Sequence, residues 1–525
     1  MKVNKALRYF LLILAVLAIK CDCNDDDRPI FDTDNDGVTD VEDLCPNTIE
    51  GETVDEFGCS SLEINDLDRD GVVNEQDECP NTPVLPEGIV VNANGCLEEA
   101  VRTYPEGIIT QEVPNQIILS GFSNLTPEQI DAVQEELNIE QEAIKTCSCD
   151  ETIQLWTLPD DIDLDGAIGR AKSKGGTQLS GDKNFTFAVV AEQTNYGIFP
   201  EQITSPSLSN DINKPIVAIL DSGLDVNQLN FQGLQLLDTQ TINQDINCID
   251  PNSGTVSRFG WNFSDGNADM SEDETSHGTN VTKTFIKNLN NINLNEFQIL
   301  PLKLFSGSSP GSYWDVVCAF SYLVKLDSLG YDIALVNTSF GGQLESLQSN
   351  ENSDEKDLLV LKELIDVLNE TVVVSSAGNN QNDNDFVPYF PASYNSSKWF
   401  DSPVTNLLAV AGHDSKLSPE IFEDIDNNLG SNFGKETVDM AAPWHFTILE
   451  DGTRPFPPLP SVKGIELTGT SFSAPIVSAL LLEHYLDTSL KGEQLKTNFL
   501  DNSNYIKINA SLNNSVKNNK YVLSN

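Results

Sequence analysis

The chain has 525 residues, 39% apolar and 21% charged, enough for several domains including one with a large buried core. Its formal net charge is −51, from 81 acidic against 30 basic residues. That balance excludes a nucleic-acid partner, since binding phosphates needs basic surface. The acidity otherwise reads as a solvated, self-repelling surface, or as cation ligands where carboxylates are suitably spaced.

Lys2, Lys5 and Arg8 precede an apolar run from Tyr9 to Ile19. The run is about half the roughly 20 residues that a spanning helix needs, so residues 1–22 read as an export signal. Cys21 and Cys23 follow, ahead of the acidic Asp25-Asp-Asp27. A cysteine just behind such a run resembles a bacterial lipoprotein signal. The resemblance implies a lipid anchor at Cys21, in the outer membrane and facing the surface. Lys20 departs from the small residue usual before that cysteine, and simple secretion fits as well. The ten cysteines agree with an oxidising, exported setting, secreted or at the cell surface.

Residues 28–100 contain an internal repeat. Asp32, Asp34, Asp36, Asp40 and Asp43 match Asp66, Asp68, Asp70, Asn74 and Asp77, with Gly37 and Gly71 at the same place in each. Oxygen ligands at loop positions 1, 3, 5, 9 and 12, with glycine at 6, have the spacing that wraps a short loop around Ca²⁺. Each repeat ends in Cys-Pro-Asn-Thr, at Cys45 and Cys79, and runs on to Gly58-Cys59 or Gly95-Cys96. These endings resemble thrombospondin type 3 repeats, which implies an irregular calcium-binding module held by disulfides. A third fragment, Asp161-Ile-Asp163-Leu-Asp165-Gly166, begins alike, but Gly169 and Lys172 occupy its last ligand positions, and it reads as a surface turn.

From 107 to 205 the character is that of a small α+β domain. Gln116 to Leu119 reads as a strand, and Thr126-Pro127 as a helix start. The helix continues through Ile130, Val133 and Leu137. Ile153 to Trp156 reads as a strand and Ala167 to Lys174 as a second short helix. Cys147 and Cys149 could bond each other or capture other cysteines.

Residues 211–525 carry the chemistry. Pro215 to Leu220 is a continuous apolar run, the pattern of a strand in a parallel sheet buried on both faces, and it ends in Asp221. A carboxylate at that end points into the crevice where open α/β sheets place their sites. His277 opens His-Gly-Thr, with Gly278 allowing close approach. Ser471 lies in Gly469-Thr-Ser-Phe-Ser-Ala-Pro475, a turn entering an apolar helix whose N-terminus favours a developing oxyanion. A serine hydroxyl needs a base, and the base needs a group that holds its tautomer. The segment is not Gly-x-Ser-x-Gly, which counts against an esterase. Among the other histidines, His413 reads as a strand-end residue, and His445 and His484 as surface or groove positions.

The order Asp, His, Ser and the sequences around these residues resemble the subtilisin-like serine peptidases, or subtilases. The resemblance implies an α/β fold, a parallel sheet flanked by helices, and hydrolysis of protein or peptide substrates. It makes Asp221, His277 and Ser471 the triad. Ala377-Gly-Asn379 matches the family motif whose asparagine donates to the oxyanion. Ser339, Phe340 and Gly341 resemble the strand that pairs with an extended substrate, opposite Ser376 and Gly378 across the first specificity pocket. Phe390-Pro-Ala392, Ser431-Asn-Phe-Gly434 and Ala441-Ala-Pro443 also match. The α+β domain ahead of such a body resembles the family's inhibitory propeptide, with its tail between Phe185 and Lys214. We expect no further module at the C-terminus. The expectation is an exported, calcium-binding serine endopeptidase made as a zymogen. The rival is a non-catalytic calcium-dependent surface binding protein on the same scaffold.

Overall fold

The computed structural model describes residues 111–523 except 161, 177, 188–191, 197–205, 230, 272–275, 291, 306–310, 345–357, 415–417, 425–428 and 450–463. The signal segment, Cys21 and both calcium repeats lie outside the described residues.

Alternating apolar positions give the N-terminal α+β unit two working faces. Its elements are β1 (Gln111–Ser120), α1 (Pro127–Leu137), β2 (Ile144–Cys147), β3 (Asp150–Thr157), α2 (Leu164–Gly175) and β4 (Ser180–Phe187). The strands lie in the order β4-β1-β3-β2, with every pair antiparallel. Thr126 caps α1 as the sequence predicts. Its hydroxyl accepts from the Gln129 N–H at 3.3 Å, and the Gln129 side chain accepts from the Thr126 N–H at 3.0 Å. Ile117 and Leu119 of β1 pack with Val133, Leu137, Trp156, Ala167 and Ile168 in a core of the unit's own. Ile118, between them, points the other way.

The expected surface turn at 161–166 needs correction, because α2 already begins at Leu164. Leu164, Ala167, Ile168 and Ala171 fall on one helical face and are all buried, and that stripe outweighs the turn-forming residues around it.

Strands that are apolar on both faces form the centre of the α/β body. In chain order come β5 (Glu192–Tyr196), β6 (Ser207–Ser209), β7 (Ile216–Asp221), β8 (Gln235–Leu237), α3 (His277–Lys287), β9 (Gln298–Lys303), β10 (Gly311–Ser312), α4 (Tyr313–Ser328) and β11 (Ile333–Thr338). Then follow α5 (Leu359–Val367), β12 (Val372–Ser376), β13 (Leu407–His413), β14 (Met440–Pro443), β15 (His445–Leu449), β16 (Gly464–Thr468), α6 (Thr470–Thr488) and α7 (Gly492–Asp501). The large sheet runs β14-β13-β12-β11-β7-β9-β8-β6, each neighbouring pair parallel. Beyond β14, Tyr521 pairs in parallel with Ala441, and an antiparallel Lys507–Ile508 strand closes that edge.

All six residues of β7 are buried. Val217 and Ile219 enter a core beneath α3 and α6. Ile216, Ala218 and Leu220 enter another, beneath α4 and α5. That second core also takes Ile118, Ile153, Leu155, Phe185 and Phe187 from the N-terminal unit, whose sheet lies on α4 and α5.

Polar groups complete this junction. The Asp182 carboxylate, on β4, accepts from the N–H groups of Leu359 and Val360 at 2.8 and 2.7 Å and from the Tyr313 hydroxyl at 2.7 Å. It therefore satisfies the open N-terminus of α5. Asn184 Oδ1 accepts from the Trp314 N–H at 3.1 Å, at the start of α4. β10 extends the unit's sheet by pairing with β4. Both cysteine pairs left open by the sequence cross the same junction, as Cys147–Cys318 and Cys149–Cys248.

Asp315, in the first turn of α4, is buried. Burial raises its pKa to about 8, with Asp265 adding to the rise and Lys145 of β2 opposing it. A carboxyl whose folded pKa lies above its unfolded value binds more protons when folded, so its contribution to stability falls as pH rises from about 4 to 8 and is constant above. Asp315→Asn is therefore expected to melt at a higher temperature than the parent at pH 9. The gap should shrink steadily towards pH 5 when followed by thermal unfolding across that range.

Candidate active site

β7 delivers Asp221 at its carboxyl end, beside β11 and β9. The carboxylate Oδ1 accepts from the Ser222 N–H at 2.8 Å and lies 2.6 Å from His277 Nδ1. Asp221 is 1% exposed and His277 6%. His277 is the first residue of α3, and Gly278 lets the helix start this close to the strand end. A Cβ at Gly278 would stand 2.4 Å from the Gly223 carbonyl oxygen and 3.1 Å from Asp221 Cβ. The Gly278 N–H donates to Ser222 Oγ at 3.0 Å, a second tie between the same two segments.

The His277 ring lies 5.5 Å from the ring of Phe472, centroid to centroid, which brings the imidazole to the start of α6. Ser471 is there, 3% exposed. Its hydroxyl donates to the Ser339 carbonyl at 3.1 Å, and the Ser339 hydroxyl donates back to the Ser471 carbonyl at 2.7 Å. Asn337 Nδ2 donates to Ser339 Oγ at 2.9 Å, and the Ser478 hydroxyl donates to Asn337 Oδ1 at 3.0 Å. The first turn of α6 is thus fastened to the end of β11 by a reciprocal pair and a supporting chain.

Asn379 stands beside this turn. Its Oδ1 accepts from both the N–H and the hydroxyl of Thr470, at 2.9 and 2.7 Å, which fixes the amide. The Nδ2 end is turned towards Gly469, where a Cβ would lie 3.1 Å from it. The Thr470 hydroxyl also accepts from the Gly378 N–H at 3.2 Å.

The five residues expected at the substrate cleft leave the sheet side by side, since β11 and β12 are neighbours and Thr338 pairs with Ser375. Their side chains do different things. Ser339 is fully buried and spent on Ser471. Ser376 is buried, its hydroxyl 3.5 Å from the Phe340 carbonyl to which it donates. Phe340 stacks on Phe187 of β4, with ring centroids 5.2 Å apart. Gly341 and Gly378 share a neighbour that sequence reasoning missed, the Tyr389 ring. A Cβ at Gly341 would be 2.4 Å from Tyr389 Cε1, and one at Gly378 2.9 Å from Tyr389 Cε2. Tyr389 directly precedes the Phe390-Pro-Ala392 segment, which was the available signal. Thr470, Asn337 and Ser478 were missed too, although Thr470 stands inside the Gly469-Thr-Ser471 motif.

The remaining histidines lie elsewhere. His413 ends β13, fully buried, with Nε2 2.8 Å from the Val522 carbonyl oxygen, and burial lowers its pKa. His445 is half-buried, its ring edge-on to Phe422. His484 corrects the surface expectation. It is buried between α6 and α7, 2.8 Å from Asn498 Oδ1 and against the rings of Phe499 and Tyr505. The physical reason is that α6 is buried on nearly all sides, so position 484 has no solvent face to occupy. Among the described residues no group of His, Cys, Asp and Glu is arranged to hold a metal ion.

Residues 213–520 match the subtilase family of peptidases. The chain belongs to the subtilase family. Similar solved structures include the subtilase cytotoxin SubAB assembly, at 20% identity over 60% of this chain and 88% of that one, with a TM-score of 0.40. Fervidolysin from Fervidobacterium pennivorans, a keratinolytic enzyme related to subtilisin, shares 15% identity over 73% of this chain and 57% of its own, with a TM-score of 0.42. A cold adapted subtilisin-like serine proteinase shares 17% over 60% and 91%, with a TM-score of 0.36. No curated protein matches the chain.

The close approach at Gly278 gives a test within this subtilase. Gly278→Ala must push α3 away from Gly223 and Asp221, and a misplacement near 1 Å is worth about 100-fold in an enzyme's rate. Casein hydrolysis by the variant is expected to fall by at least that factor, with circular dichroism reporting a retained fold.

Proposed function

We propose that the protein is a serine endopeptidase working through Asp221, His277 and Ser471, made as a zymogen that the segment up to about residue 205 restrains. The observation that carries this reading is the 2.6 Å contact of Asp221 Oδ1 with His277 Nδ1, at a site where the imidazole lies against Phe472, the residue after Ser471. In that role Ser471 Oγ attacks the scissile carbonyl, and His277 takes its proton and returns it to the leaving amine. Asp221 holds the imidazole in the required tautomer and stabilises the imidazolium. The resting hydrogen bond of Ser471 to the Ser339 carbonyl breaks as the hydroxyl turns to its base. Asn379, held by Thr470, and the Ser471 N–H at the start of α6 receive the oxyanion.

The zymogen reading is supported by the path of the chain. β4 ends at Phe187, stacked on Phe340 and paired with β10. β5 resumes at Glu192, opposite Thr468 of β16, the strand that leads into Ser471. The unit and the strand that leads into Ser471 are thus joined through this stretch of chain, and the maturation cut is expected in the tail between Phe185 and Lys214. The acidic spacing at 32–77 supports calcium binding by the repeats, and the N-terminal residues support export with or without a lipid at Cys21.

Ser471→Ala is expected to abolish casein hydrolysis and to leave the chain uncut between Phe185 and Lys214, as read by intact mass. Residual hydrolysis above about 1% of the parent would sink the assignment, since members of such a triad act as a unit.

Tyr389 further suggests a small residue before the cut, because its ring fills the space between Gly341 and Gly378 where a large side chain would go. The parent should favour Ala or Val over Phe at that position. Tyr389→Ala should raise kcat/KM for Phe relative to Ala by about tenfold, the order expected for a few buried methylenes, in a peptide-library assay.

A further inference from the structure

Both disulfides of the described residues join the N-terminal unit to the α/β body. Cys147, at the end of β2, bonds Cys318 in the middle of α4, 171 residues on. Cys149, in the turn between β2 and β3, bonds Cys248, 99 residues on. Both partners lie beyond Lys214, and both N-terminal cysteines lie before Phe185. A cut between those two residues therefore opens the main chain without dividing the molecule.

We infer that the N-terminal unit is a captive inhibitor, retained on the peptidase by these two disulfides after maturation and freed only when both are reduced. The inference rests on the maturation reading above and adds what happens after the cut. A cleaved but untethered unit is lost on dilution. A tethered one rebinds at an effective concentration that short links place near the millimolar range, whatever the enzyme concentration. The surface it rebinds is already built for it, with five of its apolar side chains in the shared core and Asp182 on the α5 N-terminus. Whatever precedes residue 111, including an anchor at Cys21, stays attached to the peptidase through the same links.

Release then has defined chemistry. A dithiol reductant attacks one sulfur of each bridge through its thiolate, forms a mixed disulfide, and leaves as its own cyclic disulfide. Each bridge takes up two electrons and two protons and yields two cysteine thiols. Two bridges require two equivalents, and breaking one frees nothing. All four sulfurs belong to residues no more than 3% exposed, so reduction follows transient undocking of the unit. The two links thereby make the captive state both intramolecular and slow to undo.

The test uses the full chain after maturation. Without reductant, mass analysis under denaturing conditions should return one species containing both pieces, and a non-reduced digest should yield 147–318 and 149–248 cross-linked peptides. Dithiothreitol should separate that species into two. Turnover per molecule of a peptide substrate should not change on roughly a thousandfold dilution until dithiothreitol is added, and should then rise at least about tenfold. Two pieces that separate without reductant, or Cys147 bonded to Cys149, overturn retention and leave the maturation reading standing. A single uncut chain in the presence of dithiothreitol overturns the maturation reading and retention with it. Cys147→Ser combined with Cys149→Ser should show dilution-dependent activity without reductant. Should that variant fail to fold, the digest of the parent decides alone.

Discussion

A carboxylate and an imidazole 2.6 Å apart, both nearly excluded from water, set the terms for the rest of this molecule. Groups of this kind are tolerated in an interior only when each is held against its partner in good geometry. The contact therefore constrains everything that supplies it. β7 must end at Asp221 and not one residue earlier or later, since a shift of one would turn the carboxylate to the opposite face. α3 must begin at His277, close enough to the strand end that only a glycine fits at 278. The sheet holds the strand end still because β9 and β11 flank β7 and because its side chains are locked into separate cores above and below.

The start of α6 is fixed by a different device. Apolar packing positions the helix as a whole, but Ser471 itself is located by polar bonds to β11, through Ser339 and the chain of Asn337 and Ser478. Asn379 is located in turn by Thr470, on the same turn. Each of these residues is buried, so each bond is made in a medium where losing it would leave a group unsatisfied. The arrangement is a small rigid frame within a larger apolar one.

Much of this was readable in the chain because the demands are local. Burial of β7 on both faces appears as an unbroken apolar run, and the need for close approach appears as Gly278. The helix start at Thr126-Pro127 is likewise a short-range pattern and was found in place, with Gln129 completing a capping box. What escaped depends on residues far apart in sequence. The segment at Phe390 marks the neighbourhood of Tyr389, but nothing in it announces that the ring will lie against glycines 341 and 378. Nothing near Cys147 selects Cys318 over Cys149, because pairing is decided by where α4 comes to rest. His484 was misread for a related reason. One titratable residue in a helix suggests a wet face, and only the packing of α7 removes it. The start of α2 went unseen because turn-forming residues and a helical stripe overlap there, and the stripe, which pays only when a sheet lies beneath it, prevailed.

The capping of α5 by Asp182 has a wider consequence. Two main-chain donors of the peptidase body find their acceptor in a strand that precedes the body in the chain, and an apolar layer of the body is completed by the same strand and its neighbours. Composition draws a border near residue 205, and a family boundary falls close by at 213. The packing draws none there. The α/β body is a module in evolutionary terms, yet while the unit is docked two of its main-chain donors and one of its apolar layers are satisfied by polypeptide that the module's definition leaves out.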